Sequence, residues 1–98
     1  MNWEICLKSY YNYILIERNL SKNSVEAYMR DLNQFAKFNK KVKPLKIKRE
    51  HILNYINEIN DSNINPRSQA RILSSIKSLY NFLIFDNQIK EDPCKHIK

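Results

Sequence analysis

The chain has 98 residues, a net charge of +7 and a 43% hydrophobic content, with no glycine and three prolines. That length fits one domain, expected as a single unit over residues 1–98, and the apolar share is enough for a core. No run of about 18 apolar residues exists to cross a membrane, and a glycine-free chain argues for helices over a sheet with tight hairpins.

The first periodic segment covers residues 2–18. Trp3, Leu7, Tyr10, Tyr11, Ile14 and Leu15 recur at helical spacing, which predicts an amphipathic helix. A basic leader with a small-residue cleavage site is absent, so the segment reads as structure and not as a signal peptide. "ERNLSKNS" breaks the pattern. Ser21, Asn23 and Ser24 are candidate N-caps for the next helix, with Glu26 three residues after Asn23. The second helix is expected over 23–38. Val25, Tyr28, Met29, Leu32, Phe35 and Ala36 fall on one face, and Arg30, Asn33, Gln34 and Lys37 on the other.

A lysine-rich loop with Pro44 inside it follows. The third helix is expected over 48–60, with Ile52, Tyr55, Ile56 and Ile59 as its buried stripe. "DSNIN" is a turn. Asn65 then caps a fourth helix over 66–86, and Pro66 suits its first position because that N–H has no intrahelical partner. Ile72, Leu73, Ile76, Leu79, Tyr80 and Leu83 cluster within about 120° of its circumference. Arg67, Arg71, Ser74, Ser75, Lys77, Ser78 and Asn81 take the opposite side, and from Leu79 to Phe85 the helix is apolar nearly all round. "DPCKHIK" reads as a closing turn. The expected architecture is all-α: a four-helix bundle without a sheet, with the fourth helix as its spine.

Charge is unevenly spread. Residues 1–20 sum to zero, whereas residues 40–50 hold six Lys or Arg against one Glu. Clustered positive charge invites a polyanion; the alternative is a solvated linker whose lysines only aid solubility. Cys6 and Cys94 lie near opposite ends with no CxxC spacing, so free thiols in a reducing cytoplasm are expected, a disulfide between the ends being the alternative. His51 and His96 have no partners at ligand spacing, so neither a metal nor a cofactor is expected. No paired carboxylates, Gly-rich phosphate loop or Ser/His/Asp motif is legible. The six tyrosines lie mostly on apolar stripes. No catalytic residue is assigned, and the chain alone is not expected to be an enzyme.

The polar side of the fourth helix suggests a partner. A helix entering the major groove needs small residues so that its backbone can approach, and a few long donors for base edges and phosphates. "PRSQARILSSIKS" supplies both. Arg67 and Arg71 lie one turn apart, and Ser68, Ser74, Ser75 and Ser78 are small hydroxyls with Lys77 among them. Gln69 lies nearer the apolar flank. An exposed Arg71 would hold little of the core. At the start of the second helix, Lys22, Asn23 and Ser24 join exposed N–H groups that favour a phosphate, and Arg30 projects from the same helix.

Two blocks then become familiar. "LSKNSVEAYMRDLNQFAKF", with L-S-x-N-S/T-x-x-x-Y-x-x-D-L-x-x-F at residues 20–35, precedes R-x-L-S-S-I-K-S-L-Y-x-F-L at residues 71–83 and a "DP" exit at residues 92–93. In this order and spacing the chain resembles, over nearly its whole length, the N-terminal core-binding (SAM-like) domain of tyrosine recombinases, the Xer and phage-integrase group. The resemblance implies a four-helix domain that forms half of a clamp around duplex DNA at a recombination half-site, gripping through its second and fourth helices. It implies other recombinase protomers as partners of the full-length protein, with this piece alone monomeric and cytoplasmic. It also implies that the catalytic constellation and nucleophilic tyrosine belong to a catalytic domain absent from this chain, with Lys98 near the start of the linker. The lysines of residues 39–49 and the lack of a proline-rich linker depart from the pattern. Two other classes compete: a free-standing helical DNA-binding regulator and a SAM-like protein-interaction domain. The regulator would need a short turn, usually with glycine, between steeply crossing helices, and the sequence offers no evident one.

Overall fold

The computed structural model describes residues 1–97; Lys98, expected near the start of a linker, lies outside them. Among the described residues there are four α-helices and no strand: α1 Trp3–Ile16, α2 Lys22–Phe38, α3 Arg49–Asp61 and α4 Pro66–Phe85. Each end falls within two residues of its expected place.

The caps explain the starts. Asn2, Ser21 and Asn65 each accept an N–H from the third helical residue: Ile5 at 2.8 Å, Ser24 at 3.2 Å and Ser68 at 2.8 Å. Each bond satisfies one of the donors that a helix start leaves open. Of the three candidates for α2, Ser21 is the cap, and Asn23 and Ser24 belong to the first turn. At α3 the direction reverses: the Lys48 N–H donates to Nδ1 of His51 at 2.8 Å.

The exits show how a chain without glycine turns. Asn19, Asn63 and Asn87 follow α1, α3 and α4 with φ of 49°, 57° and 58°. Asparagine is the residue that best replaces glycine in this left-handed region. After α4, the N–H groups of Asn87 and Gln88 return to the carbonyls of Ile84 and Leu83 at 3.0 and 2.9 Å, which closes the helix. The link from α3 to α4 is only residues 62–65, with Asn63 in the glycine role. This is the turn expected at "DSNIN", made with asparagine in place of glycine.

α4 touches all three other helices and is the spine; α2 packs along it and against α1. Ile76, Leu79, Tyr80 and Leu83 of α4 are fully buried with Tyr10 and Ile14 of α1, Leu32 and Phe35 of α2 and Ile52 of α3. Trp3 and Tyr55 meet Phe35 edge to face, with centroids 5.7 and 5.2 Å apart. Tyr11 and Leu15, expected on the buried stripe of α1, are exposed. α1 packs on α2 and α4 with Cys6, Leu7, Tyr10 and Ile14 buried, and the flank that carries Tyr11 and Leu15 stays open.

The lysine-rich segment is tied to the bundle at its backbone. It contains a short 3-10 turn, Pro44–Lys46, and Pro44 and Ile47 are buried. The Trp3 indole N–H donates to the Val42 carbonyl at 2.8 Å, and the Tyr80 hydroxyl donates to the Pro44 carbonyl at 2.9 Å. Two large rings thus bury their apolar bodies while their polar tips hold the loop. Its lysines point to solvent from a fixed path. The closing turn also packs inward, burying Cys94 and Ile97. Cys6 and Cys94 are both buried free thiols. Among the described residues no helix is long and apolar enough to cross a membrane.

Candidate nucleic-acid interface

One ion pair ties α2 to α4. Nε and Nη2 of Arg71 donate to Oδ2 and Oδ1 of Asp31 at 2.8 and 3.0 Å. The Asp31 side chain is 6% exposed and that of Arg71 38%. A carboxylate buried at the helix boundary is therefore gripped by a two-pronged fork from the solvent side, the strongest geometry for such a pair. The hydrogen bond to Asp31 raises the guanidinium pKa, with the carboxylate charge adding to it. Arg71 was expected as an open donor holding little of the core, and this is corrected. Two of its N–H groups are occupied by Asp31, and it holds a buried charge neutral.

The serines divide by register. Successive residues on a helix turn by about 100°, so neighbours face different surroundings. Ser74 is exposed. Ser75 is fully buried, and its hydroxyl donates to the Ile72 carbonyl at 2.7 Å. Ser78 is half-buried and accepts the Tyr10 hydroxyl of α1 at 2.7 Å. Ser75 is thus removed from the expected contact face, and Ser78 sits at its margin, turned to α1.

The expected contact residues that stay open come from two helices. α4 contributes exposed Arg67 and Ser74, with Lys77 and Ser68 half-buried. α2 contributes exposed Lys22, Asn23 and Arg30, and half-buried Ser24. The backbone N–H groups of Ser24 and Ser68 are already engaged by their caps, so only their side chains could meet a ligand. Among the described residues the pair of Arg71 and Asp31 is the only ion pair. Lys22, Arg30, Arg67 and Lys77 therefore keep their charge unneutralised by a neighbouring carboxylate.

Sequence reasoning missed Asp31, and it also missed Ala70, which with Asn81 completes the exposed side of α4. A signal for Asp31 existed. It is an acid at the edge of the α2 apolar stripe, directly before Leu32, and Arg71 occupies the corresponding edge of α4.

The arrangement suits holding a polyanion and not covalent chemistry. Burial pushes the Cys6 thiol up to about 11 and the Cys94 thiol up to about 12. Such thiols stay protonated and unreactive. Burial likewise pushes the Tyr10 hydroxyl up to about 12 and raises that of Tyr80. Among the described residues no group of three or more His, Cys, Asp or Glu side chains could hold a metal ion.

Residues 7–87 match the family described as phage integrase, N-terminal SAM-like domain. Among curated proteins, the tyrosine recombinase XerD of Rickettsia prowazekii is 37% identical over 93 residues, covering 93% of this chain and 30% of that protein. XerD of Rickettsia bellii is 34% identical over the same shares of each chain, and XerD of Listeria monocytogenes is 28% identical over 94% of this chain and 32% of its own length. The chain thus spans about a third of the length of these relatives. The matched part is their N-terminal domain, not the catalytic one. With four helices in place and most of its length matched, the chain belongs to the family of phage integrase N-terminal SAM-like domains.

Proposed function

We propose that this domain grips duplex DNA at a recombination half-site, through α2 and α4, on behalf of a site-specific tyrosine recombinase. Lys22, Asn23, Ser24 and Arg30 of α2 and Arg67, Ser68, Ser74 and Lys77 of α4 form the contact face, with Ser78 at its margin. Long cations reach phosphates and base edges, and the small residues let the α4 backbone approach the groove. Arg71 acts first as a positioning residue. Other protomers join in the full-length protein, and catalysis belongs to the portion of the relatives that this chain does not span. Alone, the domain is a monomer that closes half of a clamp.

The observation that carries this reading is the two-pronged bond between Arg71 and Asp31. It fixes α4 against α2, which lets both helices present one register to a rigid duplex. The experiment is a titration of the 98-residue chain with duplex DNA at two salt concentrations. Weak binding that falls steeply with salt is expected, since phosphate contacts release counterions. Arg67→Ala weakens it by about 1–3 kcal/mol if the arginine reads a base, with the melting temperature unchanged. Absence of binding at low salt overturns the reading and favours a protein-interaction domain.

A further inference from the structure

A second basic surface lies at the other end of α4. Residues 45–49 and 89–96 enclose a cleft of about 580 Å³. Lys46, Lys48 and Arg49 line one side, and Lys90 and Lys95 the other. All five are exposed. Glu91 and Asp92 also line it, yet no carboxylate among the described residues pairs with any of these cations. One Asp92 oxygen accepts the Cys94 N–H at 2.8 Å, within its own turn. The positive excess is therefore left for something outside the chain.

The walls are held in place. Tyr80, which also lines the cleft, ties the first wall to α4 through the Pro44 carbonyl at 2.9 Å, and buried Cys94 and Ile97 tie the second. The cleft also continues the α4 face. Asn81 and Ile84 line an adjoining hollow of about 500 Å³ together with Lys90 and Lys95. The exposed side of α4, from Arg67 through Ser74 to Asn81, thus leads into the cleft.

We propose that this cleft is a second contact for the backbone of duplex DNA, taking phosphates without reading sequence. The inference rests on the DNA-gripping function proposed above and extends it to the lysine-rich segment. The chemistry favours phosphates. Four of the five cations are lysines, compact point charges that lack the planar fork suited to a paired carboxylate. A polyanion lying along α4 meets them without leaving the surface.

The test measures the slope of log affinity against log salt for a duplex of random sequence. The parent is compared with Lys46→Gln/Lys48→Gln, with Lys90→Gln/Lys95→Gln and with Arg67→Ala. Each phosphate contact removed from the cleft makes the slope shallower by about 0.9, while melting stays at the parent value. Cleft variants that keep the parent slope overturn the inference; if Arg67→Ala still weakens binding in that case, the α2 and α4 contact stands alone. A parent that binds no DNA at low salt overturns both. Cleft variants that keep the DNA slope but lose binding to poly-glutamate overturn it in favour of an acidic protein partner.

Discussion

Arg67, Ala70 and Ser74 stand exposed on the first half of α4, whereas Ser75, Leu79, Tyr80 and Leu83 further along are fully buried. The helix is continuous across both halves. The first half meets its neighbours along one edge, through Arg71 to Asp31, and leaves a broad side to solvent. The second half packs Leu79, Tyr80, Phe82 and Leu83 against α1, the tethered segment around Pro44 and the closing turn around Cys94, while Asn81 and Phe85 stay exposed. Residue type does not draw the border, because Ser74 and Ser75 are adjacent and lie on opposite sides of it. A rigid stem that presents an open, basic end suits a surface that must hold register on a ligand.

The contrast breaks most severely in alkali. The enclosed half shares its core with Cys6, Tyr10 and Cys94, whose folded pKa values burial pushes up to about 11, 12 and 12, from ordinary values of 9.0, 10.0 and 9.0. Between pH 9 and about 11 the unfolded chain releases these protons while the folded chain keeps them. Stability therefore falls as pH rises through that window and is fully present below it. Melting followed by circular dichroism from pH 7 to 11 is expected to show a steady loss above pH 9; a flat profile would mean that water reaches these groups.

Next in size is Leu79→Ala. It empties a fully buried position in the stem and is expected to cost about 2–5 kcal/mol, as such truncations do. DNA affinity of the molecules that remain folded stays near the parent value. Denaturant unfolding and a binding titration well below the melting temperature measure the two separately.

Arg71→Ala tests the border itself. Removing the fork leaves the Asp31 carboxylate buried without its partner, which is expected to cost about 1–3 kcal/mol of stability, the lower part of the range applying if water enters past the half-exposed arginine site. DNA binding weakens as well, because α4 loses its tie to α2. A double-mutant cycle with Asp31→Ala separates the causes. The double variant regains stability relative to Arg71→Ala, since no orphaned charge remains. Equal stability of both variants would show that the pair holds nothing together.

The smallest effects belong to the adjacent serines. Ser75→Ala removes one bond to the Ile72 carbonyl and leaves a methyl in an apolar site, so stability changes by less than about 1 kcal/mol and DNA binding not at all. Ser74→Ala leaves stability alone and weakens DNA binding slightly. A reversal of the two serines in a binding titration would rotate the contact face by one residue.

Much of this was written locally. Helical spacing of apolar residues, Asn65 ahead of Pro66 and the absence of glycine specified four helices and their limits, because caps and periodicity depend on residues a few positions apart. The two blocks that carry the family resemblance also contained both Asp31 and Arg71. What they could not show is that these residues touch across 40 positions. Only the packing of α2 against α4 brings them together, and it makes Arg71 a clasp between helices. The same holds for the lysine-rich segment and the closing turn. Composition made them basic, but their meeting as one cleft follows from Tyr80, Pro44, Cys94 and Ile97 being drawn to the same core. Local sequence determined which surfaces could exist, since side chains on one helix face depend only on spacing; tertiary structure decided which of them stay open, since burial depends on what the rest of the chain brings alongside.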